Sequence, residues 1–224
     1  LSGGVSSFDP DGWDMVLTCE WLAKQFLAPP DAEQVRSIRS LRGQIALREI
    51  GASLNQPQAA DTICQMMNAD SSESVAETLQ RRHVTLFEGM FRQRCVLPYA
   101  SVWDGTDRLG GPAVTRMKRL MRDLDIHLDS ACKEMPDHLG ICLAVLAEAL
   151  RQEREDVVSA LLSDMRGWVP RFSEALIQAD GTNYYGDLAR FLVPLLNRIG
   201  KRLCGETGRE QDNARDYERA GYEQ

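Results

Sequence analysis

Apolar side chains recur at intervals of three and four residues along almost the whole chain, and no segment alternates apolar and polar residues long enough to make a half-buried strand. Trp13, Val16, Leu17 and Trp21 form one such series; Val35, Ile38, Leu41 and Ile45 form another. A helical period places each series on one face that must be buried against a neighbour. The expected fold is therefore all-α, a single helical bundle. Asp70 and Glu73 have the spacing of a capping box ahead of Val75, Leu79, Leu86 and Phe87, which predicts a helix running to about Phe91. Further helices are predicted from Ala113 to Ile126, Pro136 to Gln152, Glu155 to Ala179 and Tyr184 to Gly200, each bounded by Gly, Pro or Asp-rich breaks. Pro170 and Pro194 are expected to bend or split the last two.

The 224 residues are enough for one domain with a substantial core. Residues 11–200 are expected to form it, after a flexible stretch at 1–10. The segment 201–224 carries both charge signs and almost no large aliphatic side chains, so it is expected to fray. Arg92 to Gly111 breaks the helical period, with Pro98 and three glycines among Val96, Leu97, Tyr99, Val102 and Trp103. A loop of this length in a compact helical protein is more often functional than idle. It also divides two helical groups and could serve as a hinge for domain exchange, so a monomer with some swapped dimer is expected.

A net charge of -7 argues against broad capture of nucleic acid, which needs a basic face able to release counterions from phosphates. Basic partners fit better. No apolar run is long enough to span a bilayer, and acidic residues stand where a secretory signal would be basic, so the expected location is the cytoplasm. The six cysteines show no CxxC pair and read as reduced thiols rather than a disulfide framework.

Recognisable catalytic motifs are absent: no phosphate loop, dinucleotide fingerprint, zinc-protease helix or calcium loop occurs. The sharpest metal reading, Cys132 with His138 and Cys142, lacks a fourth ligand, and no cofactor is expected. His83 shares a helix face with Leu79, Leu86 and Phe87 and reads as a satisfied core histidine. Glu134-Met135-Pro136-Asp137-His138-Leu139 reads as a well-made helix N-terminus, with Pro136 fixing φ and Asp137 accepting orphan N–H bonds, or as a polar docking site. Tyr99 and Trp103 would either staple the loop to the core or line a binding surface.

Five blocks then occur in one order: Leu86-Phe87-x-Gly89, Pro98-Tyr99-x-Ser101-Val102-Trp103, Glu134-x-Pro136-Asp137-His138-Leu139-Gly140, Trp168-x-x-Arg171-Phe172 and Tyr184-Tyr185. This pattern, spanning Leu79 to Leu196, resembles the TorD/DmsD/NarJ family of redox-enzyme maturation chaperones. The resemblance implies an all-helical cytoplasmic chaperone without catalytic turnover. Its partners would be the twin-arginine leader and the apo-form of a molybdenum oxidoreductase, held until the cofactor is inserted; a NarJ-like member would instead hold a subunit that is not exported. By family correspondence Asp137 and His138 would contact the leader, with Pro136 setting their backbone and Phe91, Tyr99 and Trp103 lining the groove. Glu134, Asp104 and Asp107 join them on charge and proximity in sequence. Two guanidinium groups followed by an apolar segment call for carboxylates beside an apolar groove.

Overall fold

A computed structural model of the chain describes residues 10–88, 95–104, 109–130 and 132–220, with side chains from 14 to 205 over that range. Every regular element among them is helical. The helices are α1 (Pro10–Leu27), α2 (Ala32–Arg39), α3 (Leu41–Ser53), α4 (Pro57–Met67), α5 (Ser72–His83), α6 (Ala100–Trp103), α7 (Pro112–Asp123), α8 (Leu139–Arg151), α9 (Glu155–Arg166), α10 (Val169–Asp180) and α11 (Tyr184–Ala220). A π-helical turn, Val84–Glu88, follows α5 directly.

The central element is α8. Nine of its positions, from Leu139 to Ala149, are buried, and they fall on every side of the helix. A helix that is apolar all round belongs inside the core. Helix α1 lies along α8, α9 follows it, and α10 and α11 pack as a pair against this group. Helices α2 to α5 pack on one another and join the rest largely through α4 against α11. The α1–α8 approach is close enough to demand a particular residue. A Cβ at Gly140 would stand 2.5 Å from Leu27 Cγ and 2.8 Å from the backbone oxygen of Ala23.

Several local expectations are corrected by tertiary partners. The helix after Asp70 is capped by Ser71, whose hydroxyl accepts from Ser74 N–H at 3.2 Å, while Glu73 turns away to pair with Arg36 at 2.8 Å. The complete capping box lies elsewhere, at Asp31 and Gln34. Pro170 splits α9 from α10 as expected, because in the first turn of α10 its missing N–H needs no partner. Pro194 does not interrupt α11: Leu192, Leu195, Leu196 and Ile199 around it are fully buried. A proline in a helix interior costs about 3 kcal/mol. Burying each such side chain returns about 1.5 to 3 kcal/mol. Helix α11 continues past Gly200 into the charged segment as far as Ala220. Within the expected loop, Ala100–Trp103 forms a short helix. Phe91 and Asp107 lie outside the described residues.

Gly140→Ala should destabilise the fold although alanine is the better helix former. Overpacking costs about 1 to 3 kcal/mol, against roughly 1 kcal/mol gained in helix propensity, because the Ala23 carbonyl cannot move without α1. Chemical denaturation should show a lower midpoint; equal or higher stability would mean that α1 and α8 do not need this approach.

Candidate functional site: two motifs that cap each other

The segments around Tyr99 and His138 are nearly 40 residues apart in sequence, yet they pair as a single antiparallel rung. Both residues are extended, with φ -122° and ψ 130° at Tyr99 and φ -65° and ψ 136° at His138, and each is followed at once by a helix. Each segment supplies the acceptors that the other helix start lacks. The Pro98 carbonyl accepts Leu139 N–H at 2.7 Å, and the Asp137 carbonyl accepts Ala100 N–H at 3.0 Å. Asp137 Oδ2 accepts Ser101 N–H at 3.0 Å. His138 caps its own helix: Nδ1 accepts Gly140 N–H at 3.0 Å.

This arrangement changes the assignment of Asp137. It caps α6 rather than α8, is only 1% exposed, and its Oδ1 has no hydrogen-bond partner. Pro136 stands before the helix, at the second position of a turn closed by His138 N–H donating to the Met135 carbonyl at 2.9 Å, where its fixed φ suits the geometry. An imidazole that accepts at Nδ1 carries its proton on Nε2. Burial drives the His138 pKa from 6.5 down to about 4, with nearby His83 pushing the same way and Glu134 and Asp137 opposing. Cys142 is buried one turn along α8, with Sγ 3.9 Å from Met117 Sδ.

Tyr99 lies edge-on to His138, ring centroids 5.0 Å apart, and its hydroxyl donates to the half-buried Glu134 carboxylate. Burial, reinforced by that bond, raises the Tyr99 pKa above its ordinary value. Trp103 Nε1 donates to the Leu97 carbonyl at 2.8 Å, and the Trp103 carbonyl accepts from Arg171. The Trp103 ring meets Phe172 edge-on at 6.0 Å, and Trp168 reaches the same ring at 5.9 Å. His83 contacts Phe87 at 4.9 Å and Tyr185 at 5.7 Å. The five sequence blocks thus interlock: the second with the third through the backbone, the second with the fourth through Trp103, and the first with the fifth around His83.

The structure therefore brings together Tyr99, Glu134, Pro136, Asp137 and His138 and sets Trp103 beside them. Asp104 faces elsewhere, into a cleft of about 770 Å³ between α7 and α9 whose rim carries Arg116, Arg119, Asp123, Asp156 and Asp164. Sequence reasoning missed that cleft, although Arg116, Leu120 and Asp123 share one face of the strongly amphipathic α7. It also took His83 for a satisfied core residue. His83 is 5% exposed, yet neither ring nitrogen has a well-aligned hydrogen bond.

Residues 52–178 match the nitrate reductase delta subunit family. The chain belongs to that family, the NarJ/TorD group of redox-enzyme maturation chaperones. Chaperone protein TorD of Vibrio parahaemolyticus is 24% identical over 200 residues, covering 83% of this chain and 93% of the relative. TorD of Escherichia coli O45:K1 is 24% identical over 188 residues, covering 79% and 89%. A crystal structure of an Archaeoglobus fulgidus protein assigned to redox enzyme maturation superposes with a TM-score of 0.52 at 18% identity, covering 89% of this chain and 99% of that one. That likeness shows that the two chains share a fold over nearly their whole lengths. No helix among the described residues is long and apolar enough to cross a membrane.

The buried His138 makes stability pH-dependent in a defined direction. Its folded pKa lies below the 6.5 of an unfolded histidine, so the unfolded chain takes up the proton first as pH falls. The contribution is complete above about pH 6.5 and is lost between there and about pH 4, reaching roughly 3 kcal/mol. His138→Asn keeps a capping acceptor but does not titrate. The stability of wild type relative to this variant, measured in urea at pH 7, 5.5 and 4.5, should fall with pH; a constant difference would contradict the neutral, buried ring.

Proposed function

We propose that this chain is a cytoplasmic chaperone that binds the N-terminal twin-arginine leader of a molybdenum-cofactor oxidoreductase. It keeps the apo-enzyme from export until the cofactor is in place. The curated relatives bear the name chaperone protein TorD across four-fifths of this chain, which supports the class of function. The observation that carries the leader-binding reading is the half-buried Glu134 carboxylate. Tyr99 holds it by a single hydroxyl, leaving acceptor sites for a guanidinium. Beside it, Tyr99 and the half-buried Trp103 offer aromatic surface to the apolar stretch that follows the arginines.

In this reading the members of the site do different work. Glu134 contacts the leader. Asp137 and His138 hold the paired segments in register, and Asp137 adds negative charge from beneath through its unpartnered oxygen. Pro136 fixes the turn between them. Phe91 belongs with the groove by family correspondence, and Asp107 with its acidic approach, whereas Asp104 faces the cleft between α7 and α9. The work is holding and release, with no bond made or broken.

Calorimetric titration with a panel of twin-arginine leaders, each beside its twin-lysine counterpart, tests this. One leader should bind at micromolar affinity or better, and its lysine form more weakly, since an ammonium cannot pair bidentately. Glu134→Gln should weaken that leader about tenfold, the order of a charged hydrogen bond, with the thermal midpoint little changed. Asp137→Ala should lower stability by about 1 to 3 kcal/mol, because Ser101 N–H loses its acceptor in a buried place. No affinity for any leader would overturn the reading and make a non-exported enzyme subunit the next bait.

A further inference from the structure

The π-helical turn Val84–Glu88 has a geometric consequence. In an α-helix, side chains five residues apart point about 140° away from each other, so an uninterrupted α5 would carry Glu88 off the face of His83. A turn closed by i→i+5 hydrogen bonds is wider and brings residue i+5 back toward that face. Glu88 Oε1 accordingly lies 3.2 Å from His83 Nδ1. Such turns are uncommon and concentrate at functional sites.

The group that meets there has an unbalanced charge. Burial lowers the His83 pKa, as it does that of His138, so neither ring supplies a positive charge at neutral pH. Glu88 meets His83 at 3.2 Å, Glu134 meets the Tyr99 hydroxyl, and the Tyr99 ring lies 5.0 Å from that of His138; the charges of Glu88 and Glu134 both act on His83 and on Tyr99, and that of Asp137 acts on Tyr99. Among the described residues, no lysine or arginine pairs with any of the three. Glu88 keeps 60% of its side chain exposed beside the buried His83, and Asp137 Oδ1 is buried without a hydrogen-bond partner. Three carboxylates, two neutral imidazoles and aromatic edges, with no cation paired to the carboxylates among the described residues, suit positive charge from outside. A planar, weakly hydrated guanidinium fits such surroundings better than a compact ammonium.

We propose that Glu88, presented by the π-helical turn beside His83, is the second carboxylate of a two-arginine seat, with Glu134 the first. This rests on the leader-binding reading and adds to it the residue that makes the site specific for two adjacent arginines rather than one. The π turn places Glu88 on the same ring group as Glu134, and His83, kept neutral, spaces it there without quenching its charge.

The test uses the full chain and the leader that binds the wild type, in Arg-Arg, Arg-Lys, Lys-Arg and Lys-Lys forms, titrated against wild type, Glu88→Gln and Glu134→Gln. Glu88→Gln should weaken the Arg-Arg leader about tenfold. With one of the two single-lysine leaders it should bind within twofold of wild type, because the arginine that Glu88 pairs is already gone; Glu134→Gln should show the same pattern with the other. Glu88→Gln binding every form like wild type would overturn the proposal and leave leader binding intact. An equal loss on all four forms would overturn it too, since that marks a general charge effect. A wild type without affinity for any form would overturn both readings.

Discussion

The reciprocal capping of α6 and α8 is the constraint on which the rest of the structure depends. A buried helix start leaves several N–H groups without partners, each costing free energy comparable to a lost hydrogen bond. Here two helix starts are placed side by side, and each segment supplies the other's acceptors through the Pro98 and Asp137 carbonyls and Asp137 Oδ2. Neither start would be satisfied alone. Because α8 is the core helix against which α1 packs, this junction also fixes where the loop segment bearing Tyr99 and Trp103 lies against the body of the protein.

That dependence explains what was legible in the sequence. The helices were, because burying one face imposes a local period on the residues, and an apolar series such as Val35 and Ile38 carries its meaning within a few positions. The pairing of the second and third blocks was legible only through resemblance, since nothing local tells Asp137 that its acceptor role belongs to Ser101, 36 residues away. Asp70 shows the same limit: its spacing to Glu73 suits a capping box, but Ser71 caps the helix and Arg36 takes the glutamate. The π turn was illegible for another reason. Leu79, His83, Leu86 and Phe87 fit an α period as well as the wider turn, and only the position of Glu88 distinguishes the two.

The candidate site was legible as a set of residue types but not as a division of labour. The resemblance makes Asp137 and His138 contacts of the leader; they are 1% and 4% exposed and also hold backbone, Asp137 at Ser101 and His138 at Gly140. Glu134, three residues before Asp137, is half-buried, and Glu88 beside His83 is exposed. A motif can therefore mark the frame of a site rather than its contacts: a capping residue whose partner lies across the fold tolerates few substitutes, while a surface carboxylate needs only charge and reach.

This division bears on how mutations at such a site are to be read. Removing a buried acceptor leaves a donor unsatisfied and disturbs both helix starts, so a loss of binding at Asp137 mixes contact with collapse of the frame. Removing a surface carboxylate leaves the frame intact. The two can be separated only by measuring stability beside affinity, and by changing the ligand as well as the protein, so that the missing interaction is identified by coupling rather than by the size of a single loss. A site whose frame is built from buried polar groups can be re-aimed at a new basic ligand by altering its exposed carboxylates alone, since the expensive, mutually dependent hydrogen bonds need not change.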